Sequence, residues 1–365
     1  MLSPLDWGLG HTTRCIPLIR CLLELDCQVI VAVNAKQQAL LMQEFDQLRF
    51  VPLEGYGLQY GRTAFQTTVK ILFQIPKILS AIRRENRWLN GFVQSNPVHA
   101  VLSDNRYGFC TKRLPSVFIT HQLTIKTPFG KISEKWLRQL NYRLIKKFDA
   151  CWVPDYGGEP NLAGELSHPP LMPAVPVRYL GRLTRLQVQP AAGHTTAPLL
   201  IILSGPEPQR SMLEEILLLQ LQYHEGPAVL VRGLPAETGT LQTTAPHLVI
   251  HNCLPSKKLE TLIREAGIII SRSGYSTVMD IAGRGKACIF VPTPGQSEQE
   301  YLAVYLKQKR CCIWFSQKEF SLPLALQEAA RFPFAGPDGL PGKIYQTVLK
   351  DFVEKLKQPV RDQPS

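Results

Sequence analysis

The sequence predicts an α/β protein made of two doubly wound domains in tandem, each a parallel sheet with helices on both faces. Three observations carry this. Short, continuous apolar runs alternate with amphipathic helical patterns along the chain, as buried parallel strands and their crossover helices do. The pattern restarts once, after a polar stretch rich in Pro, Gly and Thr at 183–198 (LTRLQVQPAAGHTTAP). A length of 365 residues is enough for two ordinary cores.

The expected strands of the first domain are Leu2–Leu5, Cys27–Val33, Val98–Leu102 and Ser116–Ile119, with a helix over Thr13–Leu25. Those of the second are Leu199–Leu203, Ala228–Val231, Leu248–Ile250, Gly267–Ile270 and Ala287–Val291. Helices over Met212–Gln222, Leu259–Arg264 and Thr277–Arg284 lie between them. The expected boundaries are a first domain at 1–182, a linker at 183–198 and a second domain at 199–342. A helix and tail at 343–365 could pack back on the first domain.

Hydrophobic content of 45% with 19% charged residues belongs to a globular chain, neither disordered nor fibrous. A formal net charge of +12 calls for an anionic partner: nucleic acid, a phosphorylated small molecule or an acidic lipid surface. Residues 62–88 carry Arg62, Lys70, Lys77, Arg83, Arg84 and Arg87 against Glu85. Residues 126–147 carry Lys126, Lys131, Lys135, Arg138, Arg143, Lys146 and Lys147 against Glu134. Both stretches interleave apolar residues with the basic ones, among them Phe73, Ile75 and Leu79, and Phe129, Ile132 and Trp136. A basic amphipathic helix suits an anionic membrane surface, with a kink expected at Pro76. No nucleic-acid motif accompanies the charge, so nucleic acid is not an expected partner. The nine cysteines show neither a CxxC pair nor metal-ligand spacing, which fits reduced residues in a cytosolic protein. The start MLSPLDWGLGH has no signal-peptide pattern, and no run of eighteen apolar residues occurs, so nothing is expected to span a membrane.

Four segments carry chemistry. Asp6–Thr13 (DWGLGHTT) joins the first strand to its helix. Gly8 and Gly10 let backbone approach a ligand there, and His11 is a base of near-neutral pKa, although a plain turn capped by Thr12 has the same pattern. Ser103–Gly108 (SDNRYG) ends another first-domain strand, so Asp104, Asn105 and Arg106 are expected to face the cleft, Asp104 as a base or as the group orienting His11. Ser204 and Gly205 open the second domain after LLIIL. The richest segment runs from Arg272 to Glu300. A strand ends at Ser271, and Arg272, Ser273, Gly274, Ser276 and Thr277 form a turn and helix start able to hold a diphosphate. Asp280 lies a turn further on, where a carboxylate can reach a ribose diol. Gln296, Gln299 and Glu300 follow the next strand, with groups suited to sugar hydroxyls.

The run RSGYSTVMDIAGRGKACIFVPTPGQSEQEYLA resembles the donor-binding signature of glycosyltransferase family 28. WGLGHTTR stands where that family has its glycine-rich loop with a histidine, and LSGPEPQR where its second domain opens. GRLTR resembles the end of the first domain, with Arg185 matching a phosphate-contacting arginine. VFITHQL resembles a strand end near the acceptor and carries over His121 and Gln122, and Leu254 is counted with the donor-side residues. The sequence departs in having Asp280 for the usual ribose glutamate, Gln299-Glu300 for paired glutamines, and Asp-Trp-Gly at the first loop.

The resemblance implies two Rossmann-like domains facing a cleft, the GT-B architecture. It also implies transfer of a hexose or N-acetylhexosamine from a nucleoside diphosphate sugar, expected to be UDP-linked, to a lipid-linked or glycan acceptor. Inversion by a single displacement is expected, with His11 or Asp104 as base, no metal and no cofactor, in a cytoplasmic protein on the inner face of the membrane. Two alternatives stay open: a nucleotide-sugar 2-epimerase of the same architecture, and a non-catalytic glycan- or nucleotide-binding relative.

Overall fold

The structure is a computed structural model describing residues 1–57, 64–186, 198–237, 243, 245–281, 284–336, 340 and 342–358, with side chains of 64–72 outside that set. Arg62, the Lys70 side chain and most of the expected linker at 183–198 therefore lie outside the described residues.

The chain forms two parallel-sheet α/β domains. In the first, strands β1 (Leu2–Pro4), β2 (Ile30–Val33), β3 (Arg49–Pro52), β4 (Val101–Asp104), β5 (Ser116–Ile119), β6 (Ala150–Val153) and β7 (Val177–Tyr179) stand in the order β3-β2-β1-β4-β5-β6-β7. Helices α1 (Gly10–Glu24), α2 (Ala35–Leu41), α3 (Ala64–Ser95) and α4 (Lys131–Ile145) connect them. In the second, β8 (Leu199–Ile202), β9 (Ala228–Val231), β10 (Leu248–His251), β11 (Ile268–Ser271), β12 (Ala287–Phe290) and β13 (Ile313–Trp314) take the order β10-β9-β8-β11-β12-β13. Their helices are α5 (Gln209–Leu221), α6 (Ser256–Glu265), α7 (Tyr275–Ile281), α8 (Ser297–Gln308), α9 (Leu322–Arg331) and α10 (Ile344–Lys357). Every pairing in both sheets is parallel.

Strand order reverses between β1 and β4, where Pro4 pairs with Asp104, and between β8 and β11, where Ser271 pairs with Ile202. Loops that leave neighbouring strand ends in opposite directions open a crevice, and ligands of open α/β sheets bind there. All four segments singled out by sequence start at these strand ends.

One apolar core runs from the first domain into the second. Cys15, Ile16 and Ile19 of α1 share it with Val278 and Met279 of α7 and with Tyr345, Val348 and Leu349 of α10. Leu183 and Leu186 are buried in it as well, so the start of the expected linker is packed rather than free. Helix α10 lies on the first domain: the Phe352 ring meets Trp152 edge-on at 5.2 Å, and Asp351 pairs with Arg178 at 3.0 Å. Gly181 makes that packing possible. Its φ is +67°, and a Cβ there would lie 3.2 Å from Ile344.

The strands β3, β6, β7 and β13 were not foreseen. β3 and β7 are edge strands of half-exposed, mixed residues, and β13 has only two residues, so none shows the continuous apolar run of a central strand. β6 (ACWV) is apolar but only four residues long. Pro76 lies inside a helix that continues from Ala64 to Ser95. It is solvent-exposed, where the carbonyl it leaves unpaired is free to bond water. No helix among the described residues is long and apolar enough to cross a membrane.

Candidate functional site

The loop after β1 turns at Gly8 with φ +77° and is tied to the neighbouring loop by the Tyr56 N–H, which donates to Asp6 Oδ1 at 3.1 Å. Helix α1 then starts at Gly10 without a side-chain cap. Thr12 is fully buried and accepts from Gln37 Nε2 at 3.1 Å, so it is not the capping residue. The Gly10 carbonyl accepts from Ser276 Oγ of the second domain at 2.7 Å, and a Cβ on Gly10 would lie 3.0 Å from that oxygen. The small residue at position 10 is what lets the two switch-point loops meet.

Beside this contact lies a buried charged cluster centred on Arg14, one turn into α1. Its Nε donates to Asp104 Oδ2 at 2.7 Å, and its Nη2 donates to Asp104 Oδ1. The same Nη2 lies 2.8 Å from His11 Nδ1, and Nη1 lies 3.0 Å from His121 Nδ1. His11 Nδ1 is also 3.3 Å from Asp104 Oδ1. Across the cleft Glu298, in the first turn of α8, meets His121 Nε2 at 2.7 Å through Oε1 and accepts from Gln122 Nε2 through Oε2. The His121 ring stacks on Tyr275 with centroids 4.1 Å apart, and the Tyr275 hydroxyl donates to the Pro154 carbonyl at 2.7 Å.

Electrostatics follow from this geometry. Burial alone would raise the Asp104 pKa, but Arg14 and His11 outweigh it and hold the carboxyl below the usual carboxylate range. Burial, then the Arg14 charge, push His11 below its ordinary value despite the pull of Asp104. Glu298 shows the same contest as Asp104: burial raises it, and His121, His11 and Arg14 bring it below the ordinary glutamate value.

On the donor side, a Cβ at Gly274 would meet nothing within 4 Å, so backbone there faces open space. Ser276 and Thr277 beside it are half-buried. Helix α7 has only seven residues, so its dipole is small and side chains must supply much of the charge for an anion. Asp280 Oδ1 accepts from Thr184 Oγ1 at 2.7 Å, and Oδ2 lies 3.5 Å from Arg185 Nε, which has no hydrogen-bond partner. Ser204 is half-buried, and Gly205 (φ +111°) brings that loop against Thr293, whose buried hydroxyl has no partner. Gln299 is buried: its Oε1 accepts from the Thr293 N–H at 2.9 Å and its Nε2 donates to Gln296 Oε1. Glu300 is exposed and accepts from the Gly295 N–H at 3.1 Å. Leu254 is buried in the shared core.

Several residues expected at the cleft stand elsewhere. Arg106 is fully buried inside the first domain, donating to Glu85 Oε1 at 2.6 Å and to the Glu54 carbonyl at 2.8 Å. It points away because Glu85, the one acidic residue set against the basic ones of 62–88, is buried and pairs with it. Asn105, by contrast, stays half-buried at the strand end beside Asp104, in a left-handed turn (φ +58°) with its N–H donating to the Ile119 carbonyl at 3.1 Å. Arg272 turns beneath the sheet end, donating to the carbonyls of Val291 (3.0 Å), Pro292 (3.1 Å) and Gln209 (2.6 Å) and to Gln317 Oε1 (2.7 Å). Ser273 is likewise internal, its Oγ donating to the Gln299 carbonyl at 2.8 Å. Sequence reasoning did not single out Arg14, Tyr275, Thr293 or Glu298. Only Arg14 left a signal: a cation one turn after His11 on the same helix face.

A family model described as the glycosyltransferase family 28 C-terminal domain matches residues 250–333. That span holds the loops at 272–277 and 292–300, with Glu298, but neither Arg185 nor the Ser204–Gly205 loop. Residues 250–333 are thus similar to the C-terminal domain of glycosyltransferase family 28. The chain is 26% identical over 166 residues to the UDP-N-acetylglucosamine--N-acetylmuramyl-(pentapeptide) pyrophosphoryl-undecaprenol N-acetylglucosamine transferase of Sulfurihydrogenibium sp., covering 44% of this chain and 45% of that protein. The chain thus spans less than half the length of this curated relative. Over 97% of its length and 98% of theirs, it shares its fold with the glycotransferase of kitacinnamycin (TM-score 0.62, 16% identity) and with MurG of Acinetobacter baumannii (TM-score 0.54, 17% identity). This is the GT-B architecture of two facing Rossmann-like domains.

Proposed function

We propose that the protein transfers a hexose or N-acetylhexosamine from a nucleoside diphosphate sugar, with uridine as the nucleoside, to a lipid-linked or other membrane-proximal acceptor. The observation that carries this reading is the family 28 match at 250–333, which falls on the loops that meet the histidine-bearing loop of the first domain. Asp280 serves the ribose diol, once Thr184 and Arg185 share it with the ligand. Arg185, with an unpartnered Nε, and the hydroxyls of Ser204 and Thr293 serve the diphosphate. Gln296, Gln299 and Glu300 lie at the sugar. The acceptor oxygen forms a bond to the anomeric carbon from the face opposite the nucleotide as the bond to the diphosphate breaks, inverting that centre without a metal ion. The exposed apolar and basic faces of α3 and α4 support an acceptor presented at an anionic membrane surface.

The test is a thermal-shift panel of nucleoside diphosphates and their sugars, followed by turnover with membrane extracts. A ligand at a hundred times its Kd adds about 2.7 kcal/mol. UDP-sugars are expected to shift the wild type, and Asp280→Ala to lose that shift. Absence of binding and turnover, or an Asp280→Ala variant with unchanged affinity, overturns the reading. An isomerised donor formed without acceptor makes the protein an epimerase.

A further inference from the structure

Three successive residues at the start of α7 have three different surroundings. Backbone at Gly274 faces open space, since a Cβ there would meet nothing within 4 Å. Ser276 Oγ donates to the Gly10 carbonyl of the first domain at 2.7 Å. Tyr275, between them, reaches into the first domain and keeps only 3% of its surface exposed. Its ring lies flat on His121, with centroids 4.1 Å apart and 9° between the planes. Its hydroxyl donates to the Pro154 carbonyl at 2.7 Å. His121 lies just past β5 and Pro154 just past β6, neighbouring strands that pair in parallel from Val117–Ala150 to Ile119–Trp152. One second-domain side chain thus touches the ends of two first-domain strands.

A ring confined at both its face and its tip has one position. Burial, then the Asp155 carboxylate, push the Tyr275 hydroxyl above the ordinary tyrosine value, so it stays protonated and keeps donating. His121 in its turn meets Glu298 Oε1 at 2.7 Å and Arg14 Nη1 at 3.0 Å. Its ring face is therefore set by α7, and its two nitrogens by α8 and α1. Helix α7 has seven residues and also carries Asp280, the carboxylate proposed for the ribose diol. Tyr275 and Asp280 belong to one short rigid element, so a shift of one carries the other.

Resting on the glycosyl-transfer reading, we propose that Tyr275 is a positioning residue that joins the donor helix to the acceptor side of the cleft. It seats His121 and the end of β5 against α7. A donor held by Asp280 and an acceptor beside His121 and Gln122 are thereby brought to one fixed separation. Tyr275 acts through His121 and not by touching either ligand, since almost none of its surface is exposed. Reaction between two bound partners depends steeply on their placement, so loss of the stack shows in turnover rather than in donor affinity. A tyrosine that served the core alone would lower stability and donor affinity together.

The experiment uses the full chain with UDP-glucose, UDP-galactose and UDP-N-acetylglucosamine. Donor affinity is read by thermal shift, and transfer by UDP release over a series of membrane-extract concentrations. Tyr275→Phe keeps the stack on His121 and loses one hydrogen bond, and its turnover is expected within about threefold of wild type. Tyr275→Leu keeps apolar volume without the stack. It is expected to bind donor within about threefold of wild type while UDP release at saturating donor falls by roughly tenfold or more. Equal turnover of Tyr275→Leu and wild type overturns the assignment, as does a Tyr275→Phe variant impaired as deeply as Tyr275→Leu. Loss of donor binding in Tyr275→Leu alongside its turnover also overturns it, because the residue then serves the fold alone. A wild type that consumes none of these donors overturns the glycosyl-transfer reading and the assignment with it.

Discussion

Arg14, Arg106 and Arg272 show how one residue type serves two ends. Arg106 and Arg272 are buried among carbonyls and a single carboxylate or amide, and they join loops to the sheet ends. Removing either leaves buried acceptors unpaired, at about 1–3 kcal/mol for each orphaned group. Arg14 has the same burial but meets Asp104 and two imidazoles, so it sets protonation as well as position. The consequence for stability has a defined sign. His11 stays neutral in the fold below the pH at which an unfolded histidine binds a proton, because burial and Arg14 lower its pKa. Between about 6.5 and the folded value the unfolded chain holds more protons, so stability falls as pH falls through that window. His11→Gln is expected to flatten this slope, by at most about 1.4 kcal/mol per pH unit, in denaturant melts between pH 7 and 5.5. An unchanged slope would count against a lowered His11 pKa in the fold.

At the level of the element, α4 and the turn before it carry the feature least expected of an ordinary surface. Phe129, Ile132, Trp136 and Leu140 recur along one helical face, and Ile132 is 88% exposed and Trp136 63%. Lys131, Lys135 and Arg143 stand exposed beside them. Lys126 is set apart from this face: it pairs with Glu134 and Glu165 and lies 4.8 Å from the Tyr301 ring centre. On α3, Phe73, Ile75 and Leu79 are exposed among Lys77, Arg83 and Arg84. For the proposed membrane face, Ile132→Ser together with Trp136→Ser is expected to weaken cosedimentation with phosphatidylglycerol vesicles by tenfold or more, since each large apolar side chain contributes about 1.5–3 kcal/mol when fully buried. High salt should weaken the wild type further. Vesicle binding that the double variant leaves unchanged would remove α4 from the contact.

For the whole molecule, the decisive fact is that the two domains touch at the site itself. Ser276 reaches Gly10, Glu298 reaches His121, and Asp280 meets Thr184 and Arg185. At the rim, Glu44 Oε1 accepts from both the N–H (2.7 Å) and the Oγ (2.5 Å) of Ser256, at the start of α6. On the proposed glycosyl-transfer reading, a donor that needs the cleft to open competes with these contacts, which links closure to binding. Glu44→Ala removes the rim contact and is expected to enlarge the radius of gyration of the free protein in small-angle scattering, with UDP restoring the compact value. Equal radii for both proteins would place the hinge restraint elsewhere.

The alternation of apolar strands and helices, the restart near Leu199 and the polar loops at strand ends were all legible along the chain, because parallel strands buried on both faces and glycine-bearing turns leave local signatures. The donor loops were legible for the same reason, being continuous in sequence. The edge strands β3 and β7 were not, since a half-exposed strand has no distinctive composition. Nor was Glu298, one of several polar residues at the start of α8. Its contact with His121 joins positions 177 residues apart, as the Arg14–Asp104 pair joins positions 90 apart. By itself the sequence determined the two-domain architecture and the chemistry available at each loop. Tertiary structure alone decided which arginines point into the cleft, which carboxylate keeps a face to solvent and which side chains meet the two histidines, because those depend on burial and on partners brought together only when both sheets pack.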